Sequence, residues 1–466
     1  MWTQATLWRY KLLDKHAIIL VFAASIILRI IPELVAYPYP IGYDVVNYYI
    51  PVVANFDAHW PAAASQFPLY ILLLHSINLV TGLSAHATVT ATATAIFGAF
   101  GVSLFFIARS VLRLDARQST FLAIFVVFQM AVLRTAWDLH RDVFSLTAML
   151  FAFSLVGRKD ASWKIILAVL ALASLVVAGD RMIGALFCMT LAAFAVITRR
   201  KAVMLYAVFS ISLLSILMLA SYAPSVTAGV GGAEISTGKT PSFYNPQNLF
   251  LIFAVVNGLI AAPAAIGFLR AKDSLVLRIP LVLSLAGSFS WLAFPNLAQL
   301  VADRWIVLAG IFLSIFAGYG ILHVIRNLKP NYATLAAGSV LTAFVAIGLA
   351  YATMPYDNPF ILYGLARSST ENFGPVTMQF NSLDIQDNGK MMSEISWINQ
   401  NTEPAAIIVG EKHWRGFMEL YLQDHRTYRF SDHPQALAAA LGKQGAPAYL
   451  LTFDGSSPAM FAIARQ

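Results

Sequence analysis

The stretch Phe67–Thr81, FPLYILLLHSINLVT, decides how the whole chain is threaded. It is apolar enough to enter a bilayer, yet a helix of that length reaches only about 22 Å against a hydrocarbon core of about 30 Å. Pro61 and Pro68 stand just ahead of it. A crossing here would move every later loop to the other side and put Arg109, Arg113 and Arg117 outside. Basic loops favour the cytoplasmic side. We therefore read the stretch as an amphipathic or re-entrant helix within a long first external loop, residues 37–85.

Composition demands that choice of threading. The chain has 466 residues, 59% of them hydrophobic and 12% charged, with a mean hydropathy of +0.69. Soluble domains carry about 25% charged residues, so this is a polytopic α-helical membrane protein. Hydropathy predicts eleven spans, near 17–36, 86–108, 118–136, 142–157, 163–179, 182–198, 202–222, 248–269, 276–294, 305–325 and 331–353. The first lacks a small-residue cleavage site and reads as a signal anchor. Basic clusters occupy every second gap: Arg9/Lys11/Lys15, Arg109/Arg113/Arg117, Arg158/Lys159/Lys164, Arg199/Arg200/Lys201, Arg270/Lys272/Arg278 and Arg326/Lys329. The expected topology is a multi-pass protein of the cell membrane, amino terminus cytoplasmic and last 113 residues external.

The net charge of +8 is consistent with that topology. Residues 1–353 carry 23 Lys+Arg against 12 Asp+Glu, and residues 354–466 carry 8 against 11. Nothing here calls for a nucleic-acid partner. Cys188 lies inside an apolar span, so disulfides play no part. The chain divides into a membrane domain, 1–353, and a small external α/β domain, 354–466. In the latter, helices are expected at Met392–Asn401, Trp414–Leu422 and Pro434–Leu441, with strands at Ala405–Val409, Arg426–Phe430 and Ala448–Phe453.

The gaps on the external side are short, and each holds an acid, a base or both. Asp44 follows Gly42 and Tyr43; Asp138, His140, Arg141 and Asp142 come next; then Asp180-Arg181, Glu234 and Lys239, and Asp303-Arg304. Charge at a bilayer surface is costly and is usually kept for a polar ligand. A partly desolvated Asp44 suits a general base, although the same position suits a helix N-cap. Asp142 gains from the dipole of the helix it opens. Asp44, Asp138 and Asp142 together offer oxygen ligands to a divalent cation such as Mg or Mn. Arg181 and Arg304 each follow an aspartate at the mouth of an apolar span, where a guanidinium grips phosphate or pairs locally. Glu33 is the simplest partner for Arg29, and His140 is read as hydrogen-bonded rather than as a ligand. Loop 223–247, rich in Gly, Ser and Thr and carrying Lys239 and Tyr244, is suited to closing over a substrate. The sequence holds no P-loop, Rossmann fingerprint, HExxH or metal-spaced cysteine pair.

The order of these features resembles the GT-C superfamily: protein O-mannosyltransferases, aminoarabinose transferase and the catalytic subunit of oligosaccharyltransferase. The residues that carry the resemblance are the early aspartate, Phe67-Pro68-Leu69-Tyr70 ending in Thr81-Gly82-Leu83-Ser84, Ala108-Arg109-Ser110-Val111-Leu112, Arg141-Asp142, and the tail's run from Ile395 to Gly410. The resemblance implies that Asp44 is the catalytic acid/base, Asp142 the acidic residue of the second loop, and Arg304 a grip on a lipid-linked phosphate. Arg141, Arg181, Asp138, Lys239, Tyr244 and Tyr43 join them as candidate substrate-binding residues. Asp44 precedes Val45 where protein mannosyltransferases carry an Asp-Glu pair, and the tail lacks Trp-Trp-Asp, so transfer to asparagine is disfavoured. The implied function is inverting transfer of a sugar from a polyprenyl-phosphate donor to a lipid, glycan or protein acceptor at the external face. A transporter or lipid flippase is the alternative; it would place its ionisable groups near mid-span.

Overall fold

The computed structural model describes residues 4–42, 44–57, 60, 68–137, 139–157, 162–221, 246–293, 302–353, 388–410, 415–429, 447–454 and 457–462. Helix α1 (Gln4–Ala36) leads to a π-helical turn (Val45–Tyr49) and α2 (Ile50–Ala54). Next come α3 (Leu69–Thr81), α4 (Ala85–Ser110), α5 (Ala116–Val127), α6 (Met130–Trp137), α7 (His140–Val156) and α8 (Trp163–Gly179). The membrane domain continues with α9 (Arg181–Thr198), α10 (Lys201–Ser221), α11 (Pro246–Arg270), α12 (Leu275–Ser288), α13 (Ala302–Ile325) and α14 (Pro330–Thr353).

Seven helices among the described residues are long and apolar enough to cross a membrane: α1, α4, α9, α10, α11, α13 and α14. The expected span 118–136 is instead two helices, α5 and α6, bent by 65°. Gln129 marks the break. Its backbone N–H turns to Val126, and its side-chain amide donates to the Phe125 carbonyl that would otherwise lose its helical donor. The three remaining expected spans are helices of 17, 17 and 14 residues, α7, α8 and α12. Helix α3 has 13 residues and ends at Gly82 in the left-handed region, so it is too short to cross.

The large apolar core lies among the membrane helices, while α10 leaves Met204, Leu205, Val208, Ile216 and Leu219 exposed. Such an apolar outer face is stable against lipid and costly against water. Helices α11 and α13 approach closely because Gly320 lies on the Pro263 carbonyl and Gly267 on the Phe316 carbonyl, leaving no room for a Cβ at either glycine.

The carboxy-terminal part is α/β. Helix α15 (Asn388–Asn401) precedes β1 (Ile407–Gly410), α16 (Arg415–Tyr421), β2 (Arg426–Arg429), β3 (Ala448–Asp454) and β4 (Ser457–Ala462). The sheet order is β2-β1-β3-β4, with β1 parallel to both neighbours and β4 antiparallel to β3. Every residue of β1 is buried, as befits a central parallel strand. It starts two residues later than expected because Ala405 takes a positive φ of 69°. Strand β4 was not expected, although Asp454-Gly455 between two apolar runs is a hairpin signal. The expected helix Pro434–Leu441 lies outside the described residues.

Two small apolar clusters join these parts. Val45 packs with Tyr49, Tyr70, Ile71 and Val89 on the membrane side. Its neighbour Val46 packs with Met391, Ile395, Phe417 and Leu451 of the carboxy-terminal domain. The π-helical turn is therefore wedged between the two.

Candidate functional site

Gly42 sets the path of the first loop. Its φ of +94° suits glycine, and a Cβ there would lie 2.7 Å from the Trp137 carbonyl oxygen. This close approach presses the loop against the end of α6, just ahead of Arg141 and Asp142. Pro51 shapes the turn at Val45–Tyr49. It has no N–H, and its ring crowds the carbonyl four residues back, which accounts for the wider turn in which the Ile50 N–H reaches Val45. Single π turns of this kind cluster at functional sites. The turn aims Tyr49 at α7, where its ring stacks on His140 at 5.2 Å and meets Tyr70 edge-on at 5.3 Å.

Asp44 occupies the N-cap position of this turn, but its carboxylate makes no capping hydrogen bond. It is partly buried, within electrostatic reach of Arg141, Tyr48 and Tyr49. Burial raises the phenols of Tyr48 and Tyr49 above their ordinary value, so both stay neutral beside it. The Arg141 guanidinium lies over the Tyr48 ring at 5.4 Å.

Across from Asp44, α7 and α9 present a second acid pair. Asp142 is buried in the first turn of α7, with the Asp180 carboxyl group beside it. Asp180 links α8 to α9 in an extended conformation, and its Oδ1 accepts from the N–H groups of Met182 at 2.8 Å and Ile183 at 2.9 Å. Arg304, in the first turn of α13, and Arg141 both act on Asp142.

Asp44, Arg141, Asp142 and Arg304 thus belong to one connected cluster, and Asp180 joins it. The sequence reading gives Asp180 no role beyond the alternative of a local ion pair with Arg181. Asp180 is buried and Arg181 exposed, because they begin a helix on different faces. Tyr43, Asp138, Glu234, Lys239 and Tyr244 lie outside the described residues, as does the Asp303 side chain. Among the described residues no three His, Cys, Asp or Glu side chains gather closely enough to hold a metal ion. The two described carboxylates of the expected trio, Asp44 and Asp142, each have the Arg141 cation nearby.

A second polar cluster lies behind the first. Arg29 is buried in α1, with its Nη2 2.8 Å from Glu33 Oε1 and 3.3 Å from His140 Nε2. A guanidinium only donates, so Nε2 accepts and the imidazole carries its proton on Nδ1. Glu33 is the partner the sequence suggested.

No family model matches the chain, and no curated protein matches it in sequence. Its fold, however, has solved counterparts. ArnT from Cupriavidus metallidurans bound to undecaprenyl phosphate superposes with a TM-score of 0.53 at 13% identity, over 93% of this chain and 92% of that one. The apo form of the same protein gives 0.53 at 15% identity, over 96% and 93%. The arabinofuranosyltransferase AftD from mycobacteria gives 0.56 at 12% identity, over 95% of this chain but only 37% of AftD. The fold is the GT-C fold of polytopic membrane proteins.

Proposed function

We propose that this protein is a membrane glycosyltransferase that takes a sugar from a polyprenyl-phosphate donor and passes it to a hydroxyl-bearing acceptor at the external face. The observation that carries the reading is the convergence of Asp44, Arg141, Asp142 and Arg304 in one cluster, on a fold shared with a protein crystallised with undecaprenyl phosphate. Arg304 holds the donor phosphate and stabilises the negative charge that grows on it as the anomeric carbon–oxygen bond breaks. Asp44 takes the proton from the acceptor hydroxyl as its oxygen attacks the anomeric carbon from the opposite side. The sugar inverts, and polyprenyl phosphate leaves along the apolar helices.

Asp44 is assigned the base because its carboxylate makes no capping bond to the turn it precedes and lies partly buried beside the Arg141 cation. Asp142, buried beside Asp180, orients the acceptor. Arg141, stacked on Tyr48, holds Asp44 and Asp142 in register. The test uses the purified full chain with a polyprenyl-phosphate sugar fraction extracted from membranes and the remaining membrane extract as the source of acceptor, scored by release of polyprenyl phosphate. Asp44→Asn should abolish release while the protein still binds undecaprenyl phosphate. Full activity in that variant removes the assignment of the base, and failure of the native chain to bind undecaprenyl phosphate removes the donor class.

A further inference from the structure

We infer that the carboxy-terminal domain positions the Asp44 segment through a latch formed by Val46, Asn47 and Gly416, an inference that rests on Asp44 being the base. The three contacts are separate in kind. Val46 is fully buried in the apolar cluster of the carboxy-terminal domain, among Met391, Ile395, Phe417 and Met418. The Asn47 side-chain Oδ1 accepts a 2.8 Å hydrogen bond from the Gly416 N–H, 369 residues away in sequence. That N–H belongs to the first turn of α16, where backbone donors have no partner within the helix. Asn47 thus serves as a cap for a helix in another domain. Gly416 itself lies so close to the turn that a Cβ would meet the Val46 carbonyl oxygen at 2.5 Å and the Asn47 nitrogen at 2.8 Å.

The opposite face of the turn is held by the membrane domain, where Val45 and Tyr49 are buried against Tyr70 and Val89. Leu420 of α16 packs against both clusters. A five-residue π-helical turn closes few hydrogen bonds of its own and is rarely stable alone. Gripped on one face only, it would be free to rewind into an α-helix, which would rotate Asp44 relative to Arg141. Asn47, Val46 and Gly416 are therefore positioning residues: they act on the reaction only through Asp44.

The experiment compares Asn47→Ala, Asn47→Asp and Gly416→Ala in the full chain. Asn47→Asp keeps the accepting oxygen and serves as the conservative rescue. Amide hydrogen exchange over residues 45–54 should quicken about 10-fold in Asn47→Ala and Gly416→Ala and stay near native in Asn47→Asp. With the extracted polyprenyl-phosphate sugar fraction, maximal release should fall about 10-fold in the first two variants. The donor concentration for half-maximal rate should change less than about 2-fold, because the donor phosphate sits on Arg304 and not on the latch. Unchanged exchange in Asn47→Ala overturns the latch, and so does faster exchange with undiminished release. An active Asp44→Asn enzyme whose exchange still responds to Asn47→Ala would break the reading of the base and leave the mechanical coupling standing.

Discussion

Asp44 and Asp180 stand at equivalent places in two different parts of the molecule, each at the N-cap of a helical segment, and they are used in opposite ways. Asp180, between two membrane helices, gives one carboxylate oxygen to the N–H groups of Met182 and Ile183 and lies beside Asp142. Asp44, in the first loop, makes no capping bond at all. The turn it precedes is held from outside instead, by Val45 on the membrane side and Val46 and Asn47 on the other. A carboxylate that holds its helix together cannot also be the mobile acceptor of a proton. One whose segment is held by other contacts can.

The largest effect expected from this contrast is on rate. Asp44→Asn should cost about 10²–10⁴-fold in transfer while leaving the thermal midpoint within about 4 °C of native, since no cap is lost and the charge interaction with Arg141 is worth about 1 kcal/mol. Polyprenyl-phosphate release and a melting curve on the same preparation check both halves. A variant that loses activity only because it melts early would place Asp44 in the same structural class as Asp180.

Arg304→Ala tests the cationic side of the cluster. Removing a charged hydrogen-bond donor to phosphate should weaken binding of undecaprenyl phosphate by about 10- to 100-fold. Arg304→Lys should recover only part of that, because an ammonium lacks the paired geometry. Titration of the purified chain with undecaprenyl phosphate reads this directly, without the acceptor being known.

Asp180 should answer through stability. Asp180→Ala loses the cap and should cost about 1 kcal/mol, within the range of about 0.5–2 for such losses. Asp180→Asn keeps the oxygen that caps α9, so it should cost less in stability and leave transfer within about 10-fold of native. Chemical denaturation of the two variants side by side separates the cap from the charge. If Asp180→Asn is instead as inactive as Asp44→Asn, the Asp180 carboxylate belongs to the chemistry, and the roles of the two aspartates converge.

Much of this arrangement was legible in the sequence because it arises from local pattern. The shortness of 67–81, the pairing of Arg29 with Glu33 and the α/β order of the tail each depend on a few neighbouring residues. The parts that were not legible depend on partners far away in the chain. Gln129 reads as one polar residue in an apolar run until its side chain takes over the Phe125 carbonyl and the helix bends. Val45 and Val46 read as an ordinary apolar pair, and nothing local says that they belong to different cores. The site obeyed the same rule. Asp44, Asp142 and Arg304 were visible as charges at the mouths of spans, whereas the part played by Asp180 required knowing that α7 and α9 meet.

The smallest expected effect is also the sharpest control on the comparison. Arg181 comes directly after Asp180 and, like Arg304, follows an aspartate at the mouth of an apolar span, so local pattern makes both candidates for a phosphate. The first turn of α9 separates the two neighbours: Asp180 is buried beside Asp142, and Arg181 is exposed. An exposed guanidinium shares any phosphate with water and salt, and its contribution falls to between 0 and about 1 kcal/mol. Arg181→Ala should therefore change undecaprenyl phosphate affinity by less than about 3-fold, in the assay where Arg304→Ala changes it by at least about 10-fold. If the two arginines prove equal, a headgroup resting on the rim outside α9 would explain the binding better than one drawn in towards Asp142. The pocket would then have to be rebuilt around the exposed face of that helix.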